Sequence, residues 1–145
     1  MNKIKIKSRK LGFTLIELLV VVAILGIIAA TGIVMYTGYV SGAKQKSVEN
    51  ILQQIALGQT EYYSDDGYYF GNGTGCSPSS TTVSAIQGTS GVLEGAQVIT
   101  EELGYLVCVD AATQNSQTYN IIAQETNGNC KIEMNHNGAI TRTGC

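Results

Sequence analysis

The longest apolar run of the chain extends from Phe13 to about Val40 and contains a single acid, Glu17. The next charged residue is Lys44. The run is longer than the apolar region of a secretion signal, which spans about 7–15 residues. It also exceeds the roughly 20 residues that a helix needs to cross the hydrocarbon core of a bilayer. The pattern predicts a membrane-spanning helix that stays in the mature protein.

A second helical pattern follows this run without a break. Val48, Ile51, Leu52 and Ile55 recur at spacings of three and four residues, and polar residues fill the positions between them. We therefore predict one helix over residues 14–63, apolar on all sides in its first half and amphipathic in its second. The amphipathic half needs a second layer of structure to cover its apolar stripe.

From residue 104 the pattern changes to alternation of apolar and polar residues, which is typical of strands. Four short strands are predicted, at residues 105–109, 118–123, 130–134 and 139–143. Asn127-Gly128 and Asn137-Gly138 lie between strands and indicate tight hairpins, because both central residues of a type I′ turn have positive φ. The predicted fold is α+β, with one long helix packed on a roughly four-stranded antiparallel sheet.

Residues 64–103 connect the helix to the sheet and are rich in Gly, Ser and Thr. A connection of this length usually contains small elements of its own or carries function. We predict a short helical turn at residues 83–86 and a short strand at residues 97–99. Five aromatic residues near the start of the connection are expected to pack the helix end against the loop: Tyr62, Tyr63, Tyr68, Tyr69 and Phe70.

The four cysteines all follow the apolar run. An even number in a small exported domain indicates two disulfides. If Asn137-Gly138 forms a two-residue turn, Cys130 stands opposite Cys145, with Cα atoms ~4.5–5.5 Å apart and within disulfide reach. Cys76 would then pair with Cys108. A longer loop would change this register, and the two other connectivities of four cysteines remain open.

Charge is distributed unevenly. Five of the nine basic residues precede Gly12, and only Lys44, Lys46, Lys131 and Arg142 follow it, against all eleven acids. Because basic residues beside a span stay cytoplasmic, the N-terminal segment should face the cytoplasm and the acidic part the periplasm or the outside. An acidic domain is a poor partner for nucleic acid, since affinity for phosphate depends on Lys and Arg.

Glu17 is an unusual residue for its surroundings, because an ionisable group inside an apolar helix is costly. Cleavage after Gly12 would create a new amino group on Phe13, at the same end of the helix. The amine of one copy could then neutralise the Glu17 carboxylate of the next, which removes two unpaired charges from apolar surroundings together.

The basic segment, Gly12, Phe13, Glu17 and the apolar run after them resemble the class III leader and N-terminal helix of type IV pilins. The resemblance covers about the first 40 residues. It implies cleavage between Gly12 and Phe13 by a prepilin peptidase, N-methylation of Phe13, and docking of the subunit through Glu17. It also implies a structural protein without a cofactor or catalytic activity, which forms a helical homo-oligomeric filament.

The resemblance predicts three segments: a cleaved leader (residues 1–12), a membrane and filament-core helix (13–40), and a globular domain (41–145). Before assembly the subunit would cross the inner membrane once, with its leader in the cytoplasm, and it would contact the inner-membrane assembly machinery. After assembly it would lie in an extracellular fibre for adhesion, twitching motility or DNA uptake. One departure concerns Val34, where many pilins have a proline; without that proline the helix has no fixed kink there.

The remaining polar motifs do not predict a catalytic, metal or phosphate site. His136 lies beside a turn with no cysteine or serine partner implied, and Asp65-Asp66 and Glu101-Glu102 lack the alternating oxygen ligands of a calcium loop. The glycine-rich residues 71–75 are not followed by the Lys-Ser/Thr of a phosphate loop. The alternatives to a major pilin are a minor pilin, a pseudopilin of type II secretion, and a fibre-displayed module for DNA binding or adhesion.

Overall fold

The computed structural model describes residues 12–145, so residues 1–11 of the predicted leader lie outside the described residues. The described elements are α1 (Leu15–Asp66), α2 (Ser80–Gln87), a 3₁₀ turn (Glu101–Leu103), β1 (Tyr105–Asp110), β2 (Asn120–Glu125), β3 (Lys131–Asn135) and β4 (Ile140–Thr143). The four strands form one antiparallel sheet in the order β1-β2-β3-β4. The predicted α+β architecture, a long helix packed on a four-stranded antiparallel sheet, is confirmed.

The chain divides into two compact units, one ending at Val40 and the other comprising Ser41–Cys145. The described part of the first unit is the apolar beginning of α1. The second unit contains the amphipathic end of α1, α2 and the whole sheet, and it has its own hydrophobic core.

The core of the second unit lies between α1 and one face of the sheet. The apolar stripe predicted on the helix is buried there: Val48, Leu52 and Ile55 are fully buried. The sheet contributes alternate residues of its strands, and α2 adds Ile86. The fully buried strand residues on this face are Val107, Val109, Ile121, Ala123 and Ile132, with Met134 nearly so.

The connection between helix and sheet contains α2, which confirms the predicted helical turn and extends it. Ser79 caps this helix: its hydroxyl accepts a hydrogen bond from the Thr82 N–H, and the Thr82 hydroxyl accepts one from the Ser79 N–H. This reciprocal arrangement satisfies two N–H groups that a helix start leaves open. The Thr82 hydroxyl also lies 2.7 Å from the Val107 carbonyl oxygen, which ties α2 to β1.

The strand predicted at residues 97–99 is wrong, because these residues have no strand structure. The backbone of Ile99 pairs with a side chain: its N–H donates to Gln87 Oε1 at 2.6 Å, and its carbonyl accepts from Gln87 Nε2 at 3.3 Å. The buried Gln87 side chain thus satisfies the N–H and the carbonyl of Ile99, which would otherwise need a neighbouring strand. The strand predicted at 118–123 begins later, at Asn120, because the Thr118 carbonyl is taken up locally: it accepts a hydrogen bond from the Ser116 hydroxyl at 2.7 Å.

The last hairpin also differs from its prediction. Asn137-Gly138 is not a two-residue turn: Asn135 N–H donates to the Ala139 carbonyl across a three-residue loop, and Gly138 N–H donates to Asn135. Gly138 has a φ of 80°, the left-handed conformation that commonly ends a three-residue hairpin loop. The register moves by one residue, and Ile132 pairs with Arg142.

The cysteines form the disulfides Cys76–Cys108 and Cys130–Cys145, the pairing that the sequence favoured. The predicted position of Cys145 directly opposite Cys130 is wrong, because in the observed register the residue facing Cys130 would be Gly144. Gly144 has φ 70°, and this left-handed bend brings the Cα of Cys145 to 4.3 Å from that of Cys130. The bridge therefore depends on a glycine outside the strand rather than on direct strand pairing.

Candidate assembly site on the N-terminal helix

The first turn of α1 is closed by Thr14 and Glu17. Glu17 Oε2 accepts hydrogen bonds from the Thr14 N–H at 2.9 Å and from the Thr14 hydroxyl at 2.6 Å, and Thr14 Oγ1 accepts from the Glu17 N–H at 3.3 Å. Thr14-Leu15-Ile16-Glu17 is thus a capping box. This local role of Glu17 was not predicted, although the Thr-x-x-Glu spacing before an apolar run is a signal for it.

The bonds to Thr14 use only one oxygen of the carboxylate. Among the described residues, Glu17 Oε1 has no hydrogen-bond partner. Glu17 also lies in a shallow surface cleft, whose other lining residues are Phe13, Ile16, Val20 and Val21. The helix start therefore presents one free carboxylate oxygen at the edge of an apolar depression.

The large apolar side chains that the structure describes between Leu18 and Tyr39 are exposed. They include branched and aromatic residues from the start of the helix to its boundary: Leu18, Leu19, Val20, Val21, Val22, Ile24, Leu25, Ile27, Ile28, Ile33, Met35, Tyr36 and Tyr39. Within residues 41–145, by contrast, Leu57 is the only large hydrophobic residue with comparable exposure. An apolar surface of this extent marks a site that meets a membrane or another protein.

By length and composition α1 could cross a membrane, and no part of its most apolar stretch is buried. A secretion signal near an N-terminus can also have the length and composition of a membrane-spanning helix. Gly12, Phe13 and Glu17 distinguish this helix from such a signal, and the structure places Gly12 and Phe13 on the surface immediately before the capping box.

Three amides that the sequence analysis did not single out hold the long connection in place. Gln59 is fully buried on α1; its Oε1 accepts from the Phe70 N–H and its Nε2 donates to the Phe70 carbonyl, both at 2.9 Å. Gln87 binds Ile99 in the same way. Asn72 Oδ1 accepts from Val109 N–H at 2.8 Å, and Asn72 N–H donates to the Val109 carbonyl at 2.9 Å.

The aromatic cluster packs the helix end against the loop, as expected. The Tyr62 ring meets Tyr68 and Phe70 edge to face, with centroids 5.9 and 5.7 Å apart. Tyr69 joins Tyr63 to Tyr119, at 4.6 and 4.8 Å. Burial raises the pKa of the Tyr119 hydroxyl above its ordinary value, so this group stays protonated at neutral pH.

The cysteines, the histidine and the acids outside α1 were considered as catalytic or metal-binding groups. All four cysteines are in disulfides. His136 is exposed in its turn, where its ring lies 6.5 Å from that of Tyr119. In the part of the chain that the structure describes, no group of three or more His, Cys, Asp or Glu residues is placed to hold a metal ion.

The comparisons with known proteins agree with this geometry. The family model described as the prokaryotic N-terminal methylation motif matches residues 7–33. No curated protein and no solved structure matches the chain significantly. The matched segment contains Gly12, Phe13, Glu17 and much of the exposed apolar helix. With the long helix packed on a four-stranded antiparallel sheet, this motif supports a type IV pilin-like or pseudopilin-type protein.

Proposed function

We propose that the chain is the structural subunit of a type IV pilus and polymerises through residues 13–40. The observation that carries the proposal is the helix start, where a carboxylate with one free oxygen lies in an apolar cleft. The exposed apolar surface beyond it has no cover in the isolated subunit. A second helix of the same kind would cover it.

Assembly would begin with processing of the N-terminus. A prepilin peptidase would cut the peptide bond between Gly12 and Phe13, both of which are exposed. The new amine on Phe13 would be N-methylated, which retains its positive charge. Before assembly the helix would cross the inner membrane once, with the leader in the cytoplasm and residues 41–145 in the periplasm.

Docking would then pair the charges of two copies. The methylated ammonium of Phe13 in one subunit would meet Glu17 Oε1 of another, while Glu17 Oε2 stays on Thr14. In apolar surroundings an unpaired carboxylate is costly, so a register that pairs the two charges is favoured over one that does not. Gly26, Gly32 and Gly38 have open space beside them and permit close approach of a neighbouring helix.

The test combines mass spectrometry and assembly. The mature protein from cells should begin at Phe13 and carry one methyl group. Glu17→Gln should abolish or strongly reduce fibres, whereas Glu61→Gln, at an exposed acid of the globular unit, should assemble normally. Thr14→Val removes the capping hydroxyl and keeps the acid, so it should still form fibres. Normal fibre yield from Glu17→Gln, or an unprocessed Met1, would overturn the proposal.

The composition of isolated fibres distinguishes a major pilin from a minor pilin or a type II secretion pseudopilin. A major pilin is the main component of outer-surface fibres. The proposal expects this chain to be that component, with both disulfides intact. Fibres in which it is a trace component, or that form only when secretion genes are overexpressed, would assign it to one of the other two classes.

A further inference from the structure

The chain contains three Asn-Gly pairs, which differ in their hydrogen bonding. They are Asn72-Gly73 in the long connection, Asn127-Gly128 between β2 and β3, and Asn137-Gly138 between β3 and β4. Asparagine is chemically labile, and a following glycine has no Cβ to hinder attack of its own nitrogen on the asparagine side chain. The surroundings of each pair therefore decide which asparagine reacts in the folded protein.

Two of the pairs are held by hydrogen bonds. The Asn72 side chain accepts from the Val109 N–H at 2.8 Å, and Gly73 N–H donates to the Ala111 carbonyl at 3.1 Å. At the other pair, Gly138 N–H donates to the Asn135 carbonyl at 2.8 Å. In both pairs the glycine nitrogen that would attack is engaged in a bond that must open first.

The third pair is less restrained. Asn127 and Gly128 are exposed, and Gln124 Nε2 donates to the Gly128 carbonyl at 3.4 Å. Within residues 12–145, however, the Asn127 side chain and the Gly128 N–H lack the close hydrogen bonds found at the other pairs. The preceding residue is fixed, since Thr126 N–H donates to the Gly104 carbonyl at 2.9 Å. The hairpin therefore presents a reactive dipeptide on a stable base.

We propose that Asn127 is a site of spontaneous modification, where the side-chain amide is converted to aspartate and isoaspartate through a cyclic imide. The Gly128 nitrogen bonds to Cγ of Asn127 and gives up its proton, and the Cγ–Nδ2 bond breaks to release ammonia. Water then adds to one of the two imide carbonyls and the ring C–N bond breaks. Water is the only co-reactant, and no oxidant or cofactor takes part.

The product changes a defined part of the surface. Thr126 and Asn127 line a cleft together with Tyr105, Leu106 and Ser84. Modification places a new negative charge at the rim of this cleft, two residues from Glu125. The isoaspartate form also lengthens the backbone of the hairpin loop by one carbon. The reaction at Asn127 does not require polymerisation of the chain.

The test uses the whole purified protein, incubated at mildly alkaline pH, then reduced and digested with trypsin and chymotrypsin. Cleavage after Tyr119, Lys131 and Arg142 separates the Asn127 and Asn137 peptides, and cleavage after Phe70 separates the Asn72 peptide. Replacement of the amide by a carboxyl group should accumulate at Asn127 roughly tenfold faster than at the other two sites, because each of those must first break a hydrogen bond.

A parallel incubation in denaturant isolates the effect of the fold. With the chain unfolded, the three rates should converge, because all three asparagines precede glycine. The Asn127→Gln variant should lose the fast reaction and leave the two slow ones unchanged. Equal rates at all three sites of the folded protein, faster reaction at Asn72 or Asn137, or no reaction at Asn127 would each overturn the inference.

Discussion

Arg142 on β4 donates to Glu49 on α1 across 93 residues of sequence. Arg142 Nε lies 2.6 Å from Glu49 Oε1, and Nη2 contacts the same oxygen. Lys46 Nζ lies 3.0 Å from Glu49 Oε2, so both oxygens of the carboxylate are paired. The Glu49 side chain is 10% exposed. This pair joins the last strand to the helix at the border of the core.

Replacement of Arg142 should destabilise the globular unit. Hydrogen bonds to charged groups contribute about 1.5–3 kcal/mol, and because Arg142 is 45% exposed we expect a lower cost for Arg142→Met, roughly 1–2 kcal/mol. Thermal unfolding of the processed protein in mild detergent, followed by near-UV circular dichroism, measures it. Lys131→Met, which breaks the more exposed Lys131–Glu133 pair, is the control and should cost less than about 1 kcal/mol. Equal losses in the two variants would contradict this ranking.

The same carboxylate should make stability depend on pH. Burial alone would favour the neutral acid, but the hydrogen bonds and charges of Lys46 and Arg142 outweigh it and hold the pKa of Glu49 below its ordinary value of 4.5. The unfolded chain therefore binds more protons between the folded pKa and 4.5, so stability rises with pH in that window. The contribution of Glu49 should be complete above 4.5 and lost as the pH falls through the folded pKa.

Glu49→Gln tests this linkage. The variant should be less stable than the parent at neutral pH, and its stability should fall less on acidification, because the substituted amide does not titrate. Unfolding midpoints measured from about pH 3 to pH 7 give both quantities. If the variant and the parent lose stability in parallel below 4.5, Glu49 is not the group responsible.

The broad architecture could be predicted from periodicity alone. Residues 105–109 alternate in the manner of a strand, and Val48, Leu52 and Ile55 repeat in the manner of a helix, because burial of one face imposes these periods. The predicted register of the last hairpin was wrong by one residue. Asn-Gly fits a two-residue turn and also a three-residue loop ended by a left-handed Gly138, and the choice depends on which side chains face the core.

The candidate site, too, could be predicted only in part from the sequence. Gly12, Phe13 and Glu17 could be identified from sequence because their order and spacing are local. The partners of Gln59 and Gln87 could not, because each binds the backbone of a residue in the long connection, and backbone groups carry no sequence signal. For the same reason residues 97–99 were predicted as a strand, although Gln87 supplies the pairing that a strand would have needed.

Gln59→Leu should be strongly destabilising, although leucine has a similar size and suits a helix. It would leave the Phe70 N–H and carbonyl without the bonds that Gln59 now supplies, and each unsatisfied buried group costs about 1–3 kcal/mol. We expect a loss of roughly 3 kcal/mol, measured by thermal unfolding. Gln53→Leu is the matched control on the exposed side of the same helix and should change stability little. A near-neutral Gln59→Leu would show that the Phe70 backbone finds other partners.

Gly144→Ala should prevent formation of the Cys130–Cys145 disulfide. An L-residue disfavours φ near 70°, and a Cβ at this position would also collide with the carbonyl oxygen of Asn129. Without that bend the chain end follows the strand register and carries Cys145 away from Cys130. Thiol titration of the unfolded, unreduced protein should detect two free thiols in the variant and none in the parent.

Gly138→Ala is the control for that experiment, because Gly138 also has a left-handed φ but open space at its Cβ. It should cost about 1–2 kcal/mol and keep the disulfide. The lost bridge closes a loop with a sequence separation of 15, for which chain entropy predicts a cost of about 3 kcal/mol. Gly144→Ala should therefore unfold at nearly the same temperature as Cys145→Ser. A fully oxidised Gly144→Ala protein would mean that strand pairing alone, and not the bend at Gly144, brings the two cysteines together.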